Sequence, residues 1–236
     1  MKKPPVRKQE NPGIEMMNNR SKENYQKEMD KLLEEIRASG KKPRLLLHSC
    51  CAPCSSYVLE YLSPYFDITD FYYNPNISPE EEYTHRVEEL QRLIRDMLPD
   101  GSVRFVEGMY EPKRFMEISA GLEDAPEGGA RCEKCFTLRL SEAARAAVTY
   151  GCDYFATTLT ISPLKNADLI NGIGRRIEKI SGVRYLASDF KKKNGYRRSI
   201  ELSREYDLYR QNYCGCVFSK EEAARRETER EAAAGQ

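Results

Sequence analysis

The chain has 236 residues, with 38 lysines and arginines against 37 aspartates and glutamates, for a net charge of +1. That length suffices for one good core, and the near-zero charge excludes a globally basic nucleic-acid binder, so an RNA partner would have to be held by local basic patches. No stretch approaches the ~18 apolar residues of a membrane span, and MKKPPVRKQENPG has no hydrophobic run behind its basic residues, so spanning and secretion are disfavoured and a cytoplasmic location is expected.

Residues 1–22 combine proline, asparagine and charge without hydrophobic period, which predicts a disordered polar and basic tail. Tyr25, Met29, Leu32, Leu33 and Ile36 then recur at helical spacing, with Gly40 as a stop. Arg44 to His48 is a short apolar run typical of a buried parallel strand, and it ends at HSCCAPCSS. Pro53 suits the first turn of a helix carrying Tyr57, Val58, Tyr61 and Leu62. Phe66 to Tyr73 reads as a second strand, Asn74-Pro75-Asn76 as a turn, and Ser78-Pro79-Glu80-Glu81 as a capping box opening a helix to about Met97.

Val103 to Val106 is a third predicted strand. A helix carrying Arg139, Leu140, Ala143, Ala144, Ala147 and Val148 is expected to start directly from GARCEKCF. Asp153 to Thr157 reads as a fourth strand, Ala167 to Ile180 as a helix and Val183 to Leu186 as a fifth strand. Strands alternating with helices predict a three-layer α/β fold around a mostly parallel sheet, Rossmann-like (HUP-like) in arrangement. Residues 23–219 are expected to form this single domain, followed over residues 220–236 by an Ala/Glu/Arg helix with a capping box from Ser219 to Glu222.

Seven of the eight cysteines fall in three tight clusters: Cys50, Cys51 and Cys54; Cys132 and Cys135; Cys214 and Cys216. Without a secretory signal, such pairs point to metal or redox chemistry rather than a disulfide framework. Adjacent cysteines share a small tetrahedral site poorly but can hold two corners of an iron–sulfur cube. A structural zinc site on CxxC and a thioredoxin-like use of Cys51-Ala52-Pro53-Cys54 are the alternatives. Cys152 stands alone and reads as a small core residue. His48, at a strand end, is either a proton donor or a satisfied near-core histidine, and His85 is expected on a helix surface.

Ligands of open α/β sheets bind outside the carboxyl ends of the strands. The first cluster follows strand one, Asn74-Pro75-Asn76 follows strand two, and Thr157 to Pro163 follows strand four. All are expected to meet at one edge, where helix N-termini behind Pro53 and near Cys132 favour thiolates.

LLLHSCCAPCSS, FYYNPNISPEEEYTHR, GARCEKCFTLRL, FATTLTISPLKN and SDFKKKNGYRRSIELSREYDLYRQNYCGCVFS, spanning about residues 44 to 219, together resemble the cobalamin-independent epoxyqueuosine reductases of the QueH family. The resemblance implies an oxidoreductase that removes the epoxide oxygen of epoxyqueuosine, at the wobble position of tRNA, in the last step of queuosine biosynthesis. It places a [4Fe-4S] cluster on Cys50, Cys51, Cys132 and Cys135, and a redox-active, disulfide-forming pair at Cys214 and Cys216. An additional iron ion is linked with the family, and Cys54 stands where some members carry aspartate. An external electron donor is implied, and no nucleotide cofactor is expected.

Under the same resemblance, Asn74, Asn76, Thr157, Thr158, Ser162, Lys165 and Asn166 are candidates to line the nucleobase pocket; capping and turn chemistry is their other reading. Arg184, Lys191, Lys192, Lys193, Arg197 and Arg198 face only Asp189 as opposing charge between residues 184 and 198. Lys192, Lys193 and Arg197 are the candidates to hold tRNA phosphates, against a merely solvated face. Two other classes compete. An ATP-dependent tRNA-modifying enzyme would need a Gly/Ser-rich phosphate cradle where the first cysteines stand. A non-catalytic, zinc-stabilised RNA-binding module would be colourless.

Overall fold

The computed structural model describes residues 23–234. The tail expected over residues 1–22 lies outside them. Helix α1 (Tyr25–Ser39) begins where the Asn24 side chain accepts the Lys27 N–H at 3.1 Å, and it ends at Gly40, whose φ of 65° suits a residue without a Cβ. Five strands follow: β1 (Arg44–Ser49), β2 (Asp67–Tyr72), β3 (Val103–Glu107), β4 (Tyr154–Thr157) and β5 (Arg184–Tyr185). They pair in the order β3-β2-β1-β4-β5, every pair parallel.

The helices are α2 (Ala52–Leu62), α3 (Glu80–Met97), α4 (Pro112–Ser119), α5 (Ala130–Thr149), α6 (Ala167–Ser181), α7 (Gly195–Glu205) and α8 (Val217–Ala234). Successive strand residues point to opposite faces, so β1 feeds two cores. Leu45 and Leu47 pack with Met29 and Leu33 of α1, Val58 and Leu59 of α2, and Leu90 and Leu93 of α3. Leu46 packs with Phe155, Leu140 and Ala144 of α5, and Ile170 and Ile173 of α6. All three leucines are wholly buried, each worth about 2 kcal/mol of apolar transfer. Two helical layers around one sheet give the expected three-layer, Rossmann-like arrangement.

Four local features differ from expectation. The capping box at Ser78 does not form: α3 starts at Glu80 with Pro79 in the cap position and no side-chain cap bond. The Ser78 N–H is committed elsewhere, to the carbonyl of Gly215 at 3.0 Å. The box at Ser219 also fails, because α8 starts two residues earlier and the Ser219 N–H donates to the sulfur of Cys216 at 3.4 Å. Helix α5 begins at Ala130, so Cys132 and Cys135 sit inside its first two turns rather than ahead of it. Helix α4 was not expected; Pro112 in its first turn was the available signal.

Candidate thiol site at the carboxyl edge of the sheet

The chain leaves β1 toward β2 on one side while β4 lies on the other, so the carboxyl ends of β1 and β4 flank the switch point of the sheet. Cys50 and Cys51 emerge there. Cys51 occupies the cap position of α2 in extended conformation, and Cys54 sits one turn on. The three sulfurs lie within 4.8 Å of one another, with Cys50 and Cys51 3.9 Å apart. Thr158, just past β4, receives the Cys50 N–H at 3.3 Å and donates to its sulfur at 3.5 Å.

This crowding ranks the thiols. Hydrogen bonds from Cys51 and Cys54 hold Cys50 well below the usual thiol range, aided by Lys165 and Arg139. Donating to that thiolate pushes Cys51 up to about 11 and raises Cys54 well above the usual thiol range. Of the three, Cys50 is the one favoured as thiolate.

The second cluster approaches from α5. The Gly128 N–H donates to Cys132 at 3.2 Å, and burial pushes Cys135 up to about 12. Arg131 binds the carbonyls of Leu122 and Glu123 and stacks on Phe218 at 4.3 Å, seating the start of α8 against the start of α5. That contact delivers Cys216, which caps α8.

Between Cys214 and Cys216, Gly215 has a φ of 118°, and a Cβ there would lie 2.9 Å from Ile77 and 3.0 Å from Arg86. Only glycine fits both the conformation and the space. The loop leading to it is held along one stripe of α3. Arg86 donates to the Cys214 carbonyl, Glu89 accepts the Tyr209 N–H at 2.8 Å, and Arg92 donates to the carbonyls of Tyr206 and Asp207.

Two adjoining cavities result. The larger, about 250 Å³, holds Cys50, Cys51 and Cys54 with Ser162, Lys165, Arg86, Tyr196, Gln211 and Tyr213 in its walls. The smaller, about 20 Å³, holds Cys132, Cys135 and Cys216 with Asn76. Cys214 lines both. The four expected cluster ligands thus reach the site from two sides, while Cys54 stands with Cys50 and Cys51. All eight cysteines are free thiols, and Cys152 is buried in the core away from these cavities, as expected.

Behind the sulfurs lies a buried polar floor. His48 is wholly buried, with Nδ1 2.9 Å from Thr157 Oγ1 and Nε2 3.1 Å from the Tyr73 carbonyl and 3.3 Å from Arg139 Nε. One nitrogen cannot both donate and accept; the shorter contact to a carbonyl assigns the proton to Nε2, leaving Nδ1 to accept from Thr157. Burial, with Arg139 adding to it, lowers the pKa of His48 to about 3, so it is the satisfied near-core histidine. His85 is exposed, edge-on to Tyr209.

The expected substrate residues divide by geometry. Ser162, Lys165 and Asn76 line the cavities, and Asn76 Oδ1 is buried without a partner. Asn74 is engaged internally, donating to Ser49 O at 2.9 Å and accepting from Arg139. Thr157 bonds His48 and the Leu159 N–H, Thr158 bonds Cys50, and Asn166 caps α6 by accepting the Leu169 N–H at 3.1 Å. Lys192 and Lys193 line a separate cleft beside Asn166, joined to the thiol cavity through Lys165. Lys193 pairs with Asp30 at 2.7 Å, Arg197 with Glu201 at 3.2 Å, and Arg198 with Glu60 at 2.6 Å.

Arg86 and Arg139 escaped the sequence reading. Arg139 had a signal: it follows Cys132 and Cys135 by seven and four residues, the spacing of one helix face. Its buried Nη1 has no partner, and the cysteines facing it are Cys135, Cys214 and Cys50. An all-sulfur donor set backed by an unsatisfied guanidinium fits an anionic metal–thiolate group and not a hard cation.

A family model described as "Epoxyqueuosine reductase QueH" matches residues 45–222, which include all seven clustered cysteines. The chain belongs to the QueH family. Proteins named epoxyqueuosine reductase QueH from Staphylococcus epidermidis and Streptococcus pyogenes are 46% and 45% identical to it, covering 83% and 86% of this chain and 84% and 80% of their own. One of that name from Thermotoga maritima is 38% identical over 74% of this chain and 89% of its own. Membership in QueH makes the chain an oxidoreductase of this type. Among the described residues, no helix is long and apolar enough to cross a membrane.

Proposed function

We propose that this enzyme converts epoxyqueuosine to queuosine in tRNA, with Cys50, Cys51, Cys132 and Cys135 holding a [4Fe-4S] cluster and Cys214 and Cys216 acting as a redox pair. The observation that supports this best is Cys214, a wall of both cavities and therefore adjacent to both groups of ligands. When bound, the cluster supplies single electrons, and a further iron held by Cys54 beside Cys50 and Cys51 supplies a Lewis acid.

The chemistry balances on the protein's own thiols. Opening the epoxide and expelling its oxygen as water, to leave an alkene, takes two electrons and two protons. Closing the Cys214/Cys216 dithiol to a disulfide releases two of each. An external reductant must then reopen it. Lys165 lines the cavity beside these thiols, and we assign its ammonium the role of donating a hydrogen bond to the departing oxygen. Burial works against its charge, but the field of Cys214, Cys50 and Cys54 outweighs this and its pKa rises.

Substrate contacts are assigned to Asn76, Ser162 and Lys165, with Lys192, Lys193 and Arg197 toward the phosphates of the flanking nucleotides. Asn74, Thr157, Thr158 and Asn166 act behind them as positioning groups. Residues 23–219 make up the catalytic domain, with the remainder of α8 as an extension. The deciding experiment is anaerobic incubation of reconstituted protein with epoxyqueuosine-containing tRNA and a low-potential reductant, followed by nucleoside mass analysis. Loss of one oxygen supports the proposal; an unchanged nucleoside, or a colourless zinc protein, overturns it.

A further inference from the structure

Arg139 is a permanently charged group in the interior, 1% exposed. The one group that accepts from it is neutral: Nη2 donates to Asn74 Oδ1, while Nε only faces the protonated Nε2 of His48 at 3.3 Å and Nη1 has no partner. A buried cation without an anion is costly by several kcal/mol. A second cation makes the cost larger. The Lys165 ammonium enters the same region from the loop before α6, where it and Arg139 repel one another. Lys165 lines the larger thiol cavity and Arg139 lies behind the thiols on the face of α5 that carries Cys132 and Cys135; two cations so close persist only if negative charge lies between them.

What lies between them is sulfur. The groups facing Arg139 are Cys135, Cys214 and Cys50, and those facing Lys165 are Cys214, Cys50 and Cys54. Cys132, Cys135 and Arg139 share one face of α5, so the helix that brings two thiols also brings a guanidinium to them. Four thiolates around a [4Fe-4S] core make a dianion that becomes a trianion on reduction, and a fixed cation in a low-dielectric pocket favours the more negative form.

We propose that Arg139 and Lys165 are the built-in countercations of the cysteine-bound cluster and raise its reduction potential, so that they determine how weak a one-electron donor can serve the enzyme. The inference rests on the iron–sulfur reading above. Arg139 acts as a positioning residue through its charge, and its hydrogen bond to Asn74 holds the guanidinium in place on the thiol-bearing face of α5.

The test reconstitutes wild type, Arg139→Gln, Arg139→Lys and Lys165→Gln anaerobically, without tRNA. Iron and sulfide per chain are counted, and the midpoint potential is read by dye-mediated titration of the reduced-state spectrum. Arg139→Gln and Lys165→Gln are expected to keep the cluster and shift its potential negative, with Arg139→Lys shifting less than Arg139→Gln. Turnover by both glutamine variants should fall more with a weak donor than with a strong one. A wild-type potential at full iron content in either glutamine variant overturns the proposal. Should Arg139→Gln fail to fold or to hold iron, Lys165→Gln decides alone by the same criterion. Wild-type protein that binds no iron and sulfide overturns the cofactor reading and this inference together; a wild-type cluster whose potential the variants leave unmoved overturns the inference only.

Discussion

Arg86 reaches from α3 to the backbone of the CxC loop, its Nη1 donating to the carbonyl of Cys214 at 3.3 Å across 128 residues of sequence. The same guanidinium is paired with Glu82 at 2.6 Å and lies over the ring of Tyr213 at 5.3 Å. The CxC loop is thus held by a helix that carries none of the thiols. Its position relative to the other cysteines depends on that clamp and on the hydrogen bond from Ser78 to Gly215.

Gly215→Ala tests the loop directly. The added methyl meets Ile77 and Arg86 and sits on a backbone that side chains disfavour, so a cost of about 1–3 kcal/mol and a displaced Cys214 are expected. A shift of about 1 Å in a reacting group lowers turnover by about a hundredfold. Steady-state rates and thermal unfolding of the reconstituted variant measure both; turnover at the wild-type rate would show that the loop tolerates displacement.

Cys214→Ser separates cluster from dithiol. With Cys50, Cys51, Cys132 and Cys135 intact, the visible absorption of the reconstituted protein should persist while multiple turnover stops. Retained full turnover would remove Cys214 from the redox role.

Two buried groups give opposite pH dependences. His48, lowered to about 3 from an ordinary value of 6.5, binds no proton in the folded state while the unfolded chain does, so its contribution is present above pH 6.5 and is lost as pH falls toward 3. Asp70, whose Oδ2 accepts from Ser49 at 2.6 Å, is raised by burial to about 7 from 3.8; folded protein holds a proton that the unfolded chain has released, so stability is lost as pH rises from about 4 to 7. The slopes nearly cancel between pH 4 and 6.5. Asp70→Asn should therefore make stability rise with pH, by about 1.4 kcal/mol per unit for one proton, and His48→Asn should make it fall. Denaturant unfolding at pH 5.0 and 6.5 reads the slope, whatever each substitution does to the absolute value; parallel curves would refute the assignment.

Charge reversal at Lys192 and Lys193 should weaken tRNA binding and reduce the slope of log affinity against log salt by about one for each phosphate left without its lysine. Lys193 must leave Asp30 to reach a phosphate, an exchange that costs little because exposed pairs are weak. Unchanged affinity at both low and high salt would confine these lysines to a solvated face.

Much of the site was legible in the chain because its chemistry is written in short spacings. CC, CxxC and CxC mark the cysteines that line the two cavities, and the alternation of strand and helix places the turns after β1, β2 and β4 at one edge. The two capping boxes were misread for a physical reason. Ser78 and Ser219 have the right neighbours, but the Ser78 N–H is taken by Gly215 and the Ser219 N–H by the sulfur of Cys216. Long-range partners outcompeted local ones.

Local pattern alone thus determined the three-layer fold, the three cysteine clusters and, with the order of the motifs, the family. Tertiary structure decided which thiols share a cavity. It grouped Cys54 with Cys50 and Cys51, set Cys214 between the two clusters, and brought Arg86 and Arg139 in from α3 and α5. Those placements follow from the strand order β3-β2-β1-β4-β5 and from contacts across 65 to 128 residues. A charge buried without a carboxylate is visible only once the chain has closed around it.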